Sequence, residues 1–150
     1  MKICLISILT FVVLLFIPRI AVACSCDLPQ LGKTEKQLIK LERKKSQAVF
    51  VGEVTEIIAP KTASGEEAWT AEVRFKVLQT WKGVTTETVS VFTANRCCIC
   101  GYKFAVGERY LVYAYSSDED WATSFCTRTK ILSEADEDLK VLGKNKVPRR

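Results

Sequence analysis

With 150 residues, 48% of them hydrophobic and 26% charged, the chain can bury one core of ordinary domain size. Its formal charge of +5, or +3 without Lys2 and Arg19 near the start, is too mild to argue for nucleic acid, and no stretch interleaves arginines with aromatic residues as a nucleic-acid stripe would. There is no histidine, which excludes Ser-His-Asp and Cys-His catalysis as well as His-based metal centres.

The chain opens with Lys2 and an uncharged apolar run from Ile3 to Ile17. That run is shorter than the roughly 18 residues expected of a bilayer-spanning helix. Pro18, Arg19 and Ile20 follow, then Ala21-Val22-Ala23, whose small residues suit a secretory cleavage site. Residues 1–23 are therefore expected to form a signal peptide, and a chain cut after Ala23 begins on Cys24-Ser25-Cys26. A terminal cysteine carries an α-amine, a carbonyl and a sulfur within one residue, a ligand set for a metal ion held by another protein. A lipoprotein is the second reading, because Cys24 directly follows small residues. Leucine is the usual residue three positions before a lipidated cysteine, and Ala21 stands there. Lipidation would occupy both the amine and the sulfur of Cys24.

Further along, Thr34 with Gln37 gives a capping-box signal for a helix running to about Ser46, with Leu38 and Leu41 on one face. The basic residues Lys40, Arg43, Lys44 and Lys45 read as its solvated side. Ala48 to Ile58 is rich in valine and isoleucine and predicts a strand, with Gly52 marking a bulge or bend. Pro60 to Glu67, containing Ser64-Gly65, is a hairpin turn, and Trp69 to Trp81 alternates through Ala71, Val73, Phe75 and Val77. Lys82-Gly83 turns the chain into a third strand, Thr86 to Thr93. Past a cysteine cluster, Arg109 to Tyr115 reads as a buried strand, and Trp121 to Thr129 as a last short strand carrying Cys126. Ser133 with Asp136 signals the cap of a final helix ending near Gly143, followed by a flexible basic tail, Lys144 to Arg150. Five strands, a bend in the first and a helix at each end predict a mostly β fold. A small closed barrel of the OB type, residues 24–143, fits this pattern better than the sandwich that spacing alone would also permit.

Of seven cysteines, Cys4 falls in the expected signal peptide, leaving Cys24, Cys26, Cys97, Cys98, Cys100 and Cys126. An even set in an exported domain reads as a disulfide framework. Cys24 and Cys26 are too close to bond each other, so each reaches for a distant partner and tethers the amino terminus. A zinc site built from Cys97, Cys98, Cys100 and Cys126 competes with this reading. It lacks paired C-x2-4-C spacing, and adjacent cysteines cannot easily present two thiolates to one ion. No cofactor or metal of the protein's own is expected. The acidic clusters Glu66-Glu67, Asp118-Glu119-Asp120 and Asp136-Glu137-Asp138 fit turns and helix starts without catalysis. With no GxGxxG and no P-loop, nothing argues for an enzyme.

Cys24-Ser25-Cys26, Val49-Phe50-Val51-Gly52-Glu53-Val54, Trp81-Lys82-Gly83, Cys100-Gly101-Tyr102, Tyr110-Leu111-Val112-Tyr113 and Thr123-Ser124-Phe125-Cys126 follow the order seen in the tissue inhibitors of metalloproteinases. Over nearly all of residues 24–143 the chain resembles a bacterial or otherwise single-domain relative of their amino-terminal, netrin-like domain. The resemblance implies that the Cys24 α-amine and carbonyl chelate the catalytic zinc of a metalloproteinase and that Ser25 points into the specificity pocket. It also implies an inhibitory ridge containing Cys26, Cys98, Ile99 and Cys100, and the disulfides Cys24–Cys100 and Cys26–Cys126. Zinc with an open position accepts nitrogen and oxygen donors, and an α-amine of reference pKa about 7.7–8.0 deprotonates easily beside a cation.

Three departures stand out. These 150 residues include no cysteine-rich carboxy-terminal domain, they lack the cysteine needed early in the first loop for the family's third bond, and Cys97 and Cys98 are extra and adjacent. The expectation is a monomeric, secreted or periplasmic inhibitor whose partner is a zinc metalloproteinase, with no nucleic acid involved. A membrane enters only if Cys24 is lipidated. The alternative is a non-inhibitory netrin-like binding module, free or lipid-anchored.

Overall fold

The computed structural model describes residues 26, 32–63, 65–66, 68–95, 100–117 and 120–148. Helix α1 spans Glu35–Lys45 and starts on the expected capping box. The Gln37 amide donates to Thr34 Oγ1 (3.4 Å), and the Thr34 amide donates to Gln37 Oε1 (2.8 Å). Its buried residue is Ile39, whereas Leu38 and Leu41 are only half-buried. Lys40, Arg43, Lys44 and Lys45 are exposed.

Six strands follow: β1 (Ala48–Ile58), β2 (Thr70–Lys82), β3 (Thr88–Ala94), β4 (Arg109–Ser117), β5 (Asp120–Ala122) and β6 (Lys130–Ile131). β1 pairs antiparallel with both β2 and β4, and β2 with β3. β5 runs antiparallel to β4 and meets β3 in parallel at Phe92 and Ala122. The circuit β1-β2-β3-β5-β4 thus returns to β1, a closed five-stranded barrel of the OB type. β6 adds to β4 outside that circuit.

Cover on both sides explains why the first half of β1, Ala48 to Gly52, reads as an unbroken apolar run. Ala48, Phe50 and Val54 point into the barrel with Val73, Phe75, Val91, Val112 and Ala114. Val49 and Val51 point outward, under Ile39 of α1 and Leu142 near the chain's end, with Leu111 and Tyr113. Both faces of this half are therefore buried and alternation disappears there, whereas Thr55 and Glu56 farther along are exposed. At Gly52 the β1–β2 register shifts, and an added Cβ would lie 3.0 Å from both the Phe50 ring and Phe75 Cβ. The bend and the interior packing both call for glycine there.

Three expectations need revision. Trp121 to Thr129 is not one strand. β5 stops at Ala122, and Cys126 sits in a turn before β6. The final helix α2 (Asp136–Leu142) follows a 3-10 turn, Leu132–Glu134. Ser133 lies inside that turn, so Ala135 occupies the cap position without a side-chain bond. Finally, the tail is tied at one point: the backbone of Lys146 exchanges two hydrogen bonds with Thr80 on β2 (2.8 and 2.9 Å).

The Trp81-Lys82-Gly83 triplet is the joint between barrel and helices. The Trp81 indole donates to the Gly143 carbonyl just past α2 (2.9 Å). Lys82 Nζ donates to the carbonyls of Arg43 (3.2 Å), Lys44 (3.1 Å) and Ser46 at the end of α1. Those carbonyls lack helical partners and carry the negative end of the helix dipole. Gly83 has φ 78°, and a Cβ there would meet the Gln47 carbonyl oxygen at 2.3 Å. Lys82→Met should therefore lower stability by about 1–2 kcal/mol in urea unfolding, the worth of a few partly solvated charge-assisted bonds. Lys76→Met, on an exposed position of the same strand, should change it little.

Candidate functional site

One end of the barrel gathers the described cysteines. Cys26 is joined to Cys126 (S–S 2.00 Å, Cα–Cα 5.2 Å). Cys100 is also disulfide-bonded, and its carbonyl accepts from the Phe125 amide next to Cys126 (3.1 Å). Cys24, Ser25, Cys98 and Ile99, along with Cys97, lie outside the described residues. The expected zinc ligand, the pocket residue, part of the ridge and the bond Cys24–Cys100 are thus not described.

The segment Cys100-Gly101-Tyr102 is seated by backbone contact. A Cβ at Gly101 would fall 1.8 Å from the Ala94 carbonyl oxygen, so only glycine lets the chain lie against the end of β3. The Tyr102 amide donates to Thr93 Oγ1 (2.8 Å). The Tyr102 ring then joins Phe104 and Tyr110 (centroids 4.7 and 5.9 Å), and Phe104 reaches Phe75 in the barrel (5.3 Å). This aromatic plug closes the barrel beneath Cys100 and accounts for tyrosine in the motif.

The Cys126 turn rests on three threonines. Thr123, almost fully buried, donates from its amide to the Phe92 carbonyl (2.9 Å) and from its hydroxyl to the Tyr113 carbonyl (3.1 Å). Its hydroxyl also lies 2.8 Å from Thr129 Oγ1 and 3.0 Å from Thr127 Oγ1. Thr129 Oγ1 in turn accepts from the Tyr113 amide (3.0 Å). Side chains here satisfy β4 backbone groups that a neighbouring strand would otherwise take. Around this end Phe125 is 48% exposed and Trp69 61% exposed, and the Trp69 carbonyl accepts from the Asn95 amide (2.9 Å).

Below the turn lies a charged hub absent from the sequence reading. Asp138 on α2 is 1% exposed. It accepts from Arg128 on both oxygens (3.0 Å each), from Lys130 Nζ (2.9 Å) and from the Tyr113 hydroxyl (2.9 Å). Burial pushes the Asp138 carboxyl up, but the bonds from Arg128, Lys130 and Tyr113 outweigh it and hold the carboxyl below its ordinary value. The Tyr113 hydroxyl is raised by burial, by the Asp138 charge and by the bond to it. The Arg128 guanidinium is raised, chiefly by its bonds to Asp138. A signal was available: Asp138 stands four residues before buried Leu142, on the same helical face.

Among the described residues no cluster of His, Cys, Asp or Glu could hold a metal ion, and no helix is long and apolar enough to cross a membrane. No protein-family model matches the chain, and no curated protein matches it.

Proposed function

We propose that this protein is a secreted inhibitor of zinc metalloproteinases, not an enzyme, and that it acts through a mature amino terminus at Cys24. The observation that supports the reading is the Cys26–Cys126 bond beside Cys100. It attaches the chain two residues past Cys24 to the end of a rigid OB-type barrel. A terminus held in this way loses little freedom on docking, so the bidentate amine and carbonyl reach a partner's zinc pre-organised. The resemblance to the tissue inhibitors supplies the roles: zinc chelation by Cys24, pocket contact by Ser25, and a ridge of Cys26, Cys98, Ile99 and Cys100. Exposed Phe125 and Trp69 at the same end offer the aromatic surface that protein interfaces favour. They would equally serve the alternative, a non-inhibitory binding module.

The test uses protein exported by a host cell, its intact mass, and a panel of zinc metalloproteinases. The expected mass is that of a chain beginning at unmodified Cys24, and at least one protease is inhibited. Ser25→Gly should weaken that inhibition by about tenfold, the loss of one small pocket contact. A diacylglyceryl-modified or amino-extended Cys24 would rule out chelation by this route and leave the binding module as the better reading.

A further inference from the structure

The stretch Cys126-Thr127-Arg128 touches the amino-terminal part of the chain twice. Cys126 holds Cys26 through the disulfide. Arg128 Nη2 donates to Glu35 Oε1, on the first residue of α1. Cys26 and Glu35 are thus both attached to the stretch Cys126-Thr127-Arg128 of one turn. We propose that Arg128 is a positioning residue for the start of α1 relative to Cys26: the turn is a two-point clasp, covalent at Cys26 and ionic at Glu35.

The geometry that makes the clasp stiff lies behind it. Arg128 binds Asp138 in fork fashion, Nε to Oδ1 and Nη2 to Oδ2, which fixes the plane of the guanidinium. The same Nη2 then faces Glu35, so the carboxylate meets a donor that cannot swing away. Glu35 is itself set by the Thr34–Gln37 capping box, which fixes where α1 begins. The Glu35 side chain is 43% exposed, and an ion pair that solvated adds little to global stability. Its effect is therefore local, on where the start of α1 sits relative to Cys26. The consequence for inhibition rests on the function proposed above, whereas the clasp itself does not.

Four variants separate the alternatives. Glu35→Gln removes the ionic end, Glu35→Lys opposes Arg128 with a like charge, Glu35→Asp keeps the charge, and Thr34→Ala weakens the helix start without touching Arg128. The first readout is the rate at which dithiothreitol reduces the Cys26–Cys126 bond, followed by alkylation and mass spectrometry. It is paired with the thermal unfolding midpoint and with inhibition of a responsive metalloproteinase. Glu35→Lys should speed reduction by about tenfold and Glu35→Gln by a few-fold, with the midpoint almost unchanged and Glu35→Asp close to native. Inhibition should weaken in the same order and recover in Glu35→Asp.

Unchanged reduction in Glu35→Lys would overturn the clasp, as would an equal acceleration in Thr34→Ala, which would assign the effect to helix fraying. Accelerated reduction with native-like inhibition would overturn the positioning role. If the native protein inhibits nothing yet reduction responds as described, the clasp stands and the inhibitor reading falls.

Discussion

With one alanine inserted ahead of Cys24, inhibition of any metalloproteinase that the native protein blocks should fall by about 100-fold or more. Losses of that size are typical when a central anchor of an interface is removed. The insertion converts the α-amine into an amide, whose nitrogen is a poor donor to zinc, and it forces an extra residue into space the protease already occupies. The barrel should be untouched, because Cys26–Cys126 and the interior around Phe50, Phe75 and Tyr110 lie downstream of the change. Urea unfolding of the two forms should therefore superimpose while their inhibition constants separate. Equal inhibition by both forms would sink the chelation mechanism and favour the binding module.

Asp138→Asn should be the most damaging conservative substitution in the described chain, costing about 3–4 kcal/mol of unfolding free energy at neutral pH. The amide keeps the shape but takes the carboxylate from Lys130, leaves Arg128 with half-exposed Glu35 as its counter-charge, and gives Tyr113 a weaker acceptor. Its exposed helix neighbours give the control. Asp136→Asn and Glu137→Gln, both outside the hub, should stay within about 0.5 kcal/mol. The effect has a pH signature. Because the folded carboxyl is held below its ordinary value, its contribution is complete above the unfolded value of about 3.9. It is lost as pH falls through the lower folded value. The gap between native and variant should therefore be widest near neutrality and close on acidification below about pH 4.

The same hub marks the limit of what could be read from residue order. β1 was legible to its ends, Ala48–Ile58, because valine and isoleucine crowd a strand whose first half is buried on both faces. The start of α1 was legible because a capping box is a local arrangement of two side chains. Barrel closure followed from strand count and the Gly52 bend. Thr123 to Thr129 misled because threonine favours strands, while here three hydroxyls bond one another and the Tyr113 backbone. The acidic start of α2 looked like ordinary dipole matching, and only tertiary contact distinguishes Asp138 from Asp136. Trp81 and Lys82 read as a strand end and a turn. Their bonds to helix carbonyls 62 and 36 residues away leave no periodicity in sequence. At the candidate site, Cys26, Cys100 and Gly101 could be singled out through the resemblance to the tissue inhibitors. The reason Gly101 must be glycine, the Ala94 carbonyl pressed against it, could not.

The bond between Cys26 and Cys126 spans 100 residues and encloses β1 through β5. A chain made from its amino terminus therefore displays Cys26 long before its partner exists. Cys97, Cys98 and Cys100 all emerge first, so the order of synthesis offers Cys26 three wrong thiols before the right one. Maturation of this protein is thereby tied to disulfide exchange, and its yield in a compartment should rise and fall with the isomerase activity there.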